Sequence, residues 1–149
     1  MKAVIQRVNN SKVDVSGKTV GQIGKGLLVL IGIAATDTEA MIDTFVDKIS
    51  KLRIFPDAQD KMNLSLIDVK GEVLVVAQFT LYADCKGGRR PSFTGAAGSE
   101  FAKDMYKKFV QKFKEVTGLK VEEGEFGAMM DVFLLNSGPV TIILDSDTL

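Results

Sequence analysis

Apolar residues recur along this chain in two rhythms, and each rhythm predicts a different kind of element. Residues 3–8 read as a strand, Val13 and Val15 alternate with polar neighbours, and Ser16-Gly17 turns the chain into a short strand over residues 19–23. A second turn signal, Gly24-Lys25-Gly26, precedes a nearly continuous apolar run of strand length at 27–33. That run predicts a central strand. The spacing then lengthens: Ile42, Phe45, Val46, Ile49 and Leu52 form one helical stripe behind Thr36-Asp37-Thr38-Glu39, which has the spacing of a capping box. This helix should end before Pro56, because the residue ahead of a proline is pushed out of the helical region.

Residues 73–79 return to a β-rich run. A second helix is predicted from Ser99 as cap through Phe101, Met105, Phe109, Phe113 and Val116, with Gly118 placed to end it. Strands are expected at 119–121, 130–135 and 140–144. Two helices against many strands predict an α/β fold, a single layered domain over residues 1–149, with mixed β-sheets and both main helices covering one face; α+β is the neighbouring class.

One interruption stands out. Asn136-Ser137-Gly138-Pro139-Val140-Thr141 lies between the apolar runs at 132–135 and 142–144, and proline has no N–H for a strand ladder. The segment is either a tight turn between hairpin strands or a rigid backbone corner that presents carbonyl oxygens.

Composition narrows the chemistry. Lys plus Arg and Asp plus Glu both number 19, so no global field points to a nucleic-acid partner and any such contact must be local. Histidine is absent, which removes the usual general base, the usual triad member and the commonest metal ligand together. The single cysteine, Cys85, excludes an internal disulfide or a multi-cysteine metal site and has no imidazole to activate it. The longest apolar stretch, 26–35, is short of the roughly 20 residues that span a bilayer. A soluble cytoplasmic protein without membrane attachment, metal or cofactor is expected.

Chemistry, if present, falls where the buried run gives way to polar sequence. Gln78, Phe79 and Thr80 stand at that boundary, where backbone N–H groups can be aimed at an oxyanion and Thr80 offers a hydroxyl; pattern alone favours reading Gln78 and Thr80 as ordinary strand-end residues. Lys86, Arg89 and Arg90 follow in a glycine-rich loop and suit phosphate contacts, although a solvated loop has the same composition. Arg7 shares a face with Ala3 and Ile5, so its head either needs acceptors, which a Gly-Pro corner would supply, or reaches water at the sheet edge.

Taken together, Ile5-Gln6-Arg7-Val8, Gly26-Leu27-Leu28-Val29-Leu30, Lys61-Met62-Asn63-Leu64, Gln78-Phe79-Thr80-Leu81, Arg90-Pro91-Ser92-Phe93 and the 136–141 segment resemble the D-aminoacyl-tRNA deacylase family over essentially the whole chain. The resemblance implies a homodimeric cytoplasmic hydrolase, with active sites at the subunit interface, that cleaves the ester between a D-amino acid and the terminal adenosine of tRNA. Its partner would be aminoacyl-tRNA, and glycine mischarged on alanine tRNA would be a further substrate. It implies that Gly138 and Pro139 are joined by a cis peptide, inserted in the partner's site and braced by Arg7, and that Met130 packs nearby. Gln78 and Phe79 would supply main-chain groups at the scissile carbonyl, Thr80 is the hydroxyl considered for catalysis, and the terminal ribose 2′-hydroxyl would assist attack of water. The chain departs from the family pattern at Ala77, commonly serine, and at Met129, commonly aspartate. Two other readings are an editor of small L-amino acids with a trans Gly-Pro step, and a tRNA-binding module without turnover.

Overall fold

The computed structural model describes residues 1–149. The chain opens with a long strand, β1 (Lys2–Val15), that turns back through Ser16 and Gly17 into β2 (Lys18–Ile23). Both turn residues take positive φ, 50° and 78°, which matches the twist of a two-residue hairpin. The apolar run becomes β3 (Gly26–Gly32), followed by helix α1 (Glu39–Lys51) and a small hairpin of β4 (Phe55–Pro56) with β5 (Met62–Leu64). Strand β6 (Glu72–Ala77), a 3₁₀ turn (Phe79–Tyr82), helix α2 (Ser99–Thr117), β7 (Val121–Glu123) and the long β8 (Asp131–Asp145) complete the chain.

The main sheet runs β2-β1-β3-β6-β7, with β8 beside β1. It is mixed: β3 pairs β6 and β6 pairs β7 in parallel, while β1 pairs antiparallel with β2, β3 and β8. Because β1 meets β3 through Lys2–Val8 and β2 through Ser11–Val15, the sheet bends between the two halves and β2 packs against β6 and β7. Gly21 makes that closure possible, since a Cβ there would lie 2.6 Å from the Glu123 carbonyl oxygen.

The curled sheet separates two apolar cores. On one face Ala3, Ile5, Val29, Ile31, Val73 and Val75 pack under α1 and α2; on the other, Val8, Val13, Ile23, Leu28, Leu74 and Val76 fill the inside of the curl. The α/β class and both helices on one face therefore agree with the sequence expectation.

Several expected details do not hold. The runs at 130–135 and 140–144, expected as separate strands, are not separate. They are one strand, β8, paired with β1 along both halves. The 73–79 strand stops at Ala77, and Phe79 enters the 3₁₀ turn. The strand expected at 119–121 begins only at Val121. No capping box forms at α1: Thr38 makes no side-chain cap bond, and Asp37 turns inward to pair with the Met1 ammonium and to accept the Ala34 N–H at 2.8 Å. At α2 the cap is Gly98 in place of Ser99, and Phe101 and Val116 are exposed while Tyr106 and Val110 are buried. Gly118 does end α2, at φ 64°, donating its N–H to the Lys114 carbonyl. No helix is long and apolar enough to cross a membrane.

Candidate functional site

Two separate constructions hold the residues singled out by the sequence. The first is the corner in β8. Gln6 faces Thr141 and Val8 faces Asn136, so the single residue Arg7 on β1 stands opposite the four residues 137–140. The excess chain must leave the ladder there. Asn136 ties the base of the excursion: its side-chain amide donates to the Arg7 carbonyl at 3.2 Å and the Val140 carbonyl at 3.0 Å, and its Oδ1 accepts the Val140 N–H at 3.2 Å. Backbone groups that the bulge removes from the ladder are thereby satisfied.

Arg7 braces the same corner from below. Its Nε donates to the Ser137 carbonyl at 3.0 Å and its Nη1 to the Ile54 carbonyl at 2.5 Å, fixing the excursion to the segment after α1. The half-buried guanidinium has found carbonyl acceptors, as its strand position requires. Gly138 takes φ 131°, and a Cβ on it would lie 2.7 Å from Arg7 Nη2, so both backbone and space demand glycine. The Gly138-Pro139 peptide bond is cis, and both residues are exposed.

The second construction is a cleft of about 600 Å³ beyond the end of β6. Twelve of its fifteen lining residues are hydrophobic, so a bound group would be held by shape and apolar contact with few polar anchors. Gln78 and Phe79 line one side; Phe126, Met129 and Met130 line the other. The Gln78 N–H extends the parallel ladder to the Ile31 carbonyl at 2.8 Å, which fixes the strand end rigidly. In the turn that follows, the first internal donor is Leu81, bonded to the Gln78 carbonyl, so the amides of Phe79 and Thr80 precede the turn's own hydrogen bonds. The Thr80 hydroxyl accepts from the Gln78 side-chain amide.

Lys86, Arg89 and Arg90 lie exposed on a loop closed by mutual backbone bonds between Asp84 and Ser92, at 2.7 and 2.9 Å. The loop leads back to Phe93, whose ring meets Phe79 edge-on at 5.2 Å. Thus Gln78, Phe79 and Met130 share the cleft and the basic loop springs from its rim. Arg7, Gly138 and Pro139 do not line that cleft. No three His, Cys, Asp or Glu side chains converge as metal ligands.

Sequence reasoning overlooked Asn136 as the clamp of the corner, and Phe126 and Tyr106 as supports of the cleft. An asparagine just ahead of Gly-Pro was a usable signal, because its side chain can replace lost backbone partners. Phe126 carried none, since it stands alone in a polar stretch.

The family model described as D-Tyr-tRNA(Tyr) deacylase matches residues 4–145. A D-aminoacyl-tRNA deacylase of Aquifex aeolicus is 59% identical over 146 residues, covering 98% of each chain. One of Thermosipho melanesiensis is 56% identical over 146 residues, 98% of this chain and 97% of the relative. Among solved structures, one named c-Myc DNA Unwinding Element Binding Protein superposes with a TM-score of 0.93 at 40% identity, over 98% of this chain and 99% of that one. A probable eukaryotic D-amino acid tRNA deacylase shares the fold, with a TM-score of 0.84 at 18% identity over 96% of this chain and 97% of that one.

Proposed function

Because this chain belongs to the D-Tyr-tRNA(Tyr) deacylase family, and so is a hydrolase of the ester bond in D-aminoacyl-tRNA, we propose that its apolar cleft receives the aminoacylated end of the tRNA and that a partner's Gly138-Pro139 corner filters chirality there. The carrying observation is the spatial split: the corner is braced and exposed, yet absent from its own chain's cleft. A second copy supplies it. Carbonyl oxygens fixed at the corner leave no room for an L side chain, whereas a D side chain points away. Glycine has no side chain to reject, so glycine on alanine tRNA passes the same filter.

Within the cleft, main-chain groups of Gln78 and Phe79 face the scissile carbonyl, and the terminal ribose 2′-hydroxyl assists attack of water. Oriented dipoles and proximity act on an already activated ester, which suits a chain without histidine. Met130 packs at the cleft wall, and Lys86, Arg89 and Arg90 meet tRNA phosphates. The exposed apolar side chains of β8 support a homodimer, with Phe133, Leu135 and Ile143 at 50, 52 and 72% exposure on a strand paired only with β1. Its place of action is the cytoplasm, where aminoacyl-tRNA is used.

The test is hydrolysis of D-Tyr-tRNA beside L-Tyr-tRNA by the purified protein. Fast release from the first and negligible release from the second is expected; equal or absent hydrolysis of both sinks the proposal.

A further inference from the structure

The wall of the cleft opposite Phe79 is a loop, residues 124–130, with little backbone bonding of its own. Inside it the Ala128 N–H turns back to the Glu125 carbonyl at 3.1 Å. Its first residue, Gly124, donates to the Val75 carbonyl at 3.0 Å. The same carbonyl accepts a second hydrogen bond, at 2.8 Å, from the hydroxyl of Tyr106 on α2. The Tyr106 ring also packs against Phe126, with centroids 5.8 Å apart, and Phe126 lines the cleft. Met130 closes the loop on itself, its sulfur packed 2.7 Å from where a Cβ on Gly124 would lie.

One oxygen therefore joins three parts. Val75 lies on β6 three residues before Gln78, Gly124 begins the opposing wall, and Tyr106 ties both to the helix behind them. Burial pushes the Tyr106 hydroxyl above its ordinary pKa, which favours the neutral donor form.

We propose that Tyr106 is a positioning residue for deacylation: through Val75 and Phe126 it sets the spacing between the Gln78-Phe79 edge and the 124–130 wall, and so how tightly the cleft holds its substrate. This rests on the cleft being the substrate site. Tyr106 itself touches no substrate.

The experiment compares Tyr106→Phe, Phe126→Leu and a control, Phe113→Leu, which removes a ring from the same helix core away from the cleft. Steady-state hydrolysis of D-Tyr-tRNA is measured at a temperature where all are folded, with amide hydrogen exchange of the free proteins. Loss of the aromatic partner should raise KM roughly three- to tenfold with kcat within about twofold, as weakened ground-state binding predicts. Tyr106→Phe, which keeps the ring, should raise KM less and should speed exchange in residues 124–130 without altering α1. Phe113→Leu should lower thermal stability and leave KM unchanged. An equal KM increase in Phe113→Leu, or unchanged exchange at 124–130 in Tyr106→Phe, overturns the proposal. If wild type releases no D-tyrosine, the substrate reading fails, while hydrogen exchange still decides whether Tyr106 holds the wall.

Discussion

Gly138 is the residue whose environment is least forgiving. With φ at 131° and Arg7 Nη2 within 2.7 Å of the place a Cβ would occupy, Gly138→Ala must displace either the guanidinium or the corner. Discrimination between D-Tyr-tRNA and L-Tyr-tRNA should fall at least tenfold, read as the ratio of their kcat/KM values. Arg7→Met removes two charge-assisted hydrogen bonds to carbonyls, so urea unfolding should show a loss of about 1–3 kcal/mol together with weakened chiral discrimination. Thr80 is different. Its hydroxyl already accepts from the Gln78 side chain, so Thr80→Val should slow kcat less than tenfold, well short of the roughly 100-fold or greater loss expected on removing a general acid or base. At this scale the sequence singled out Arg7 by its face on the strand but left open whether its head finds acceptors or reaches water, and the carbonyls of Ser137 and Ile54 take it. The sequence was silent about Ile54, whose main-chain oxygen serves the guanidinium across a long sequence separation.

Among elements, local pattern decided correctly wherever a single rhythm ran uninterrupted. The turn at Ser16-Gly17, the apolar run of β3 and the glycine stop of α2 are all written within a few residues. Strand β8 was misread because its two halves are held in line by β1, not by each other, and pairing across more than a hundred residues leaves no local trace. The capping box failed for a related reason. Helix α1 begins at Glu39 itself, behind Thr38, and the Glu39 carboxylate pairs with Lys108 of α2 in place of the chain ahead of the helix. Curling of the sheet was likewise hidden, since it depends on Gly21 lying against the Glu123 carbonyl. Gly21→Ala should destabilise the fold by about 1–3 kcal/mol, measured by denaturant unfolding, because the obstacle is backbone and cannot swing aside.

For the whole molecule, charge and apolar surface make separate predictions. Asp14, Asp57 and Asp68 are held below the usual carboxylate range by side-chain or backbone hydrogen bonds, Glu72 chiefly by the Gly24 N–H and Asp145 chiefly by the Asp147 N–H. Groups with lowered folded values stabilise the fold above their unfolded pKa of about 4 and lose that contribution as pH falls through the lowered values. Thermal midpoints should therefore decline below about pH 4, with no histidine-linked inflection between about pH 5.5 and 7. The free edge of β8 sets a further test: Phe133→Glu with Ile143→Glu should convert a dimer into a monomer by sedimentation and remove the preference for D-Tyr-tRNA over L-Tyr-tRNA, if each site borrows its filter from a neighbour.

The excursion at residues 137–140 also constrains how this chain can change length. Downstream of it the strand alternates, with Leu144 buried and Ile143 exposed, and its register against β1 is fixed. Deleting one residue from the corner would carry Asp145 into the place of Leu144 and turn a leucine out to water. Surface loops ordinarily absorb such losses, but here a one-residue change carried into the strand would reach the core. The corner's spacing is therefore held as firmly as its glycine.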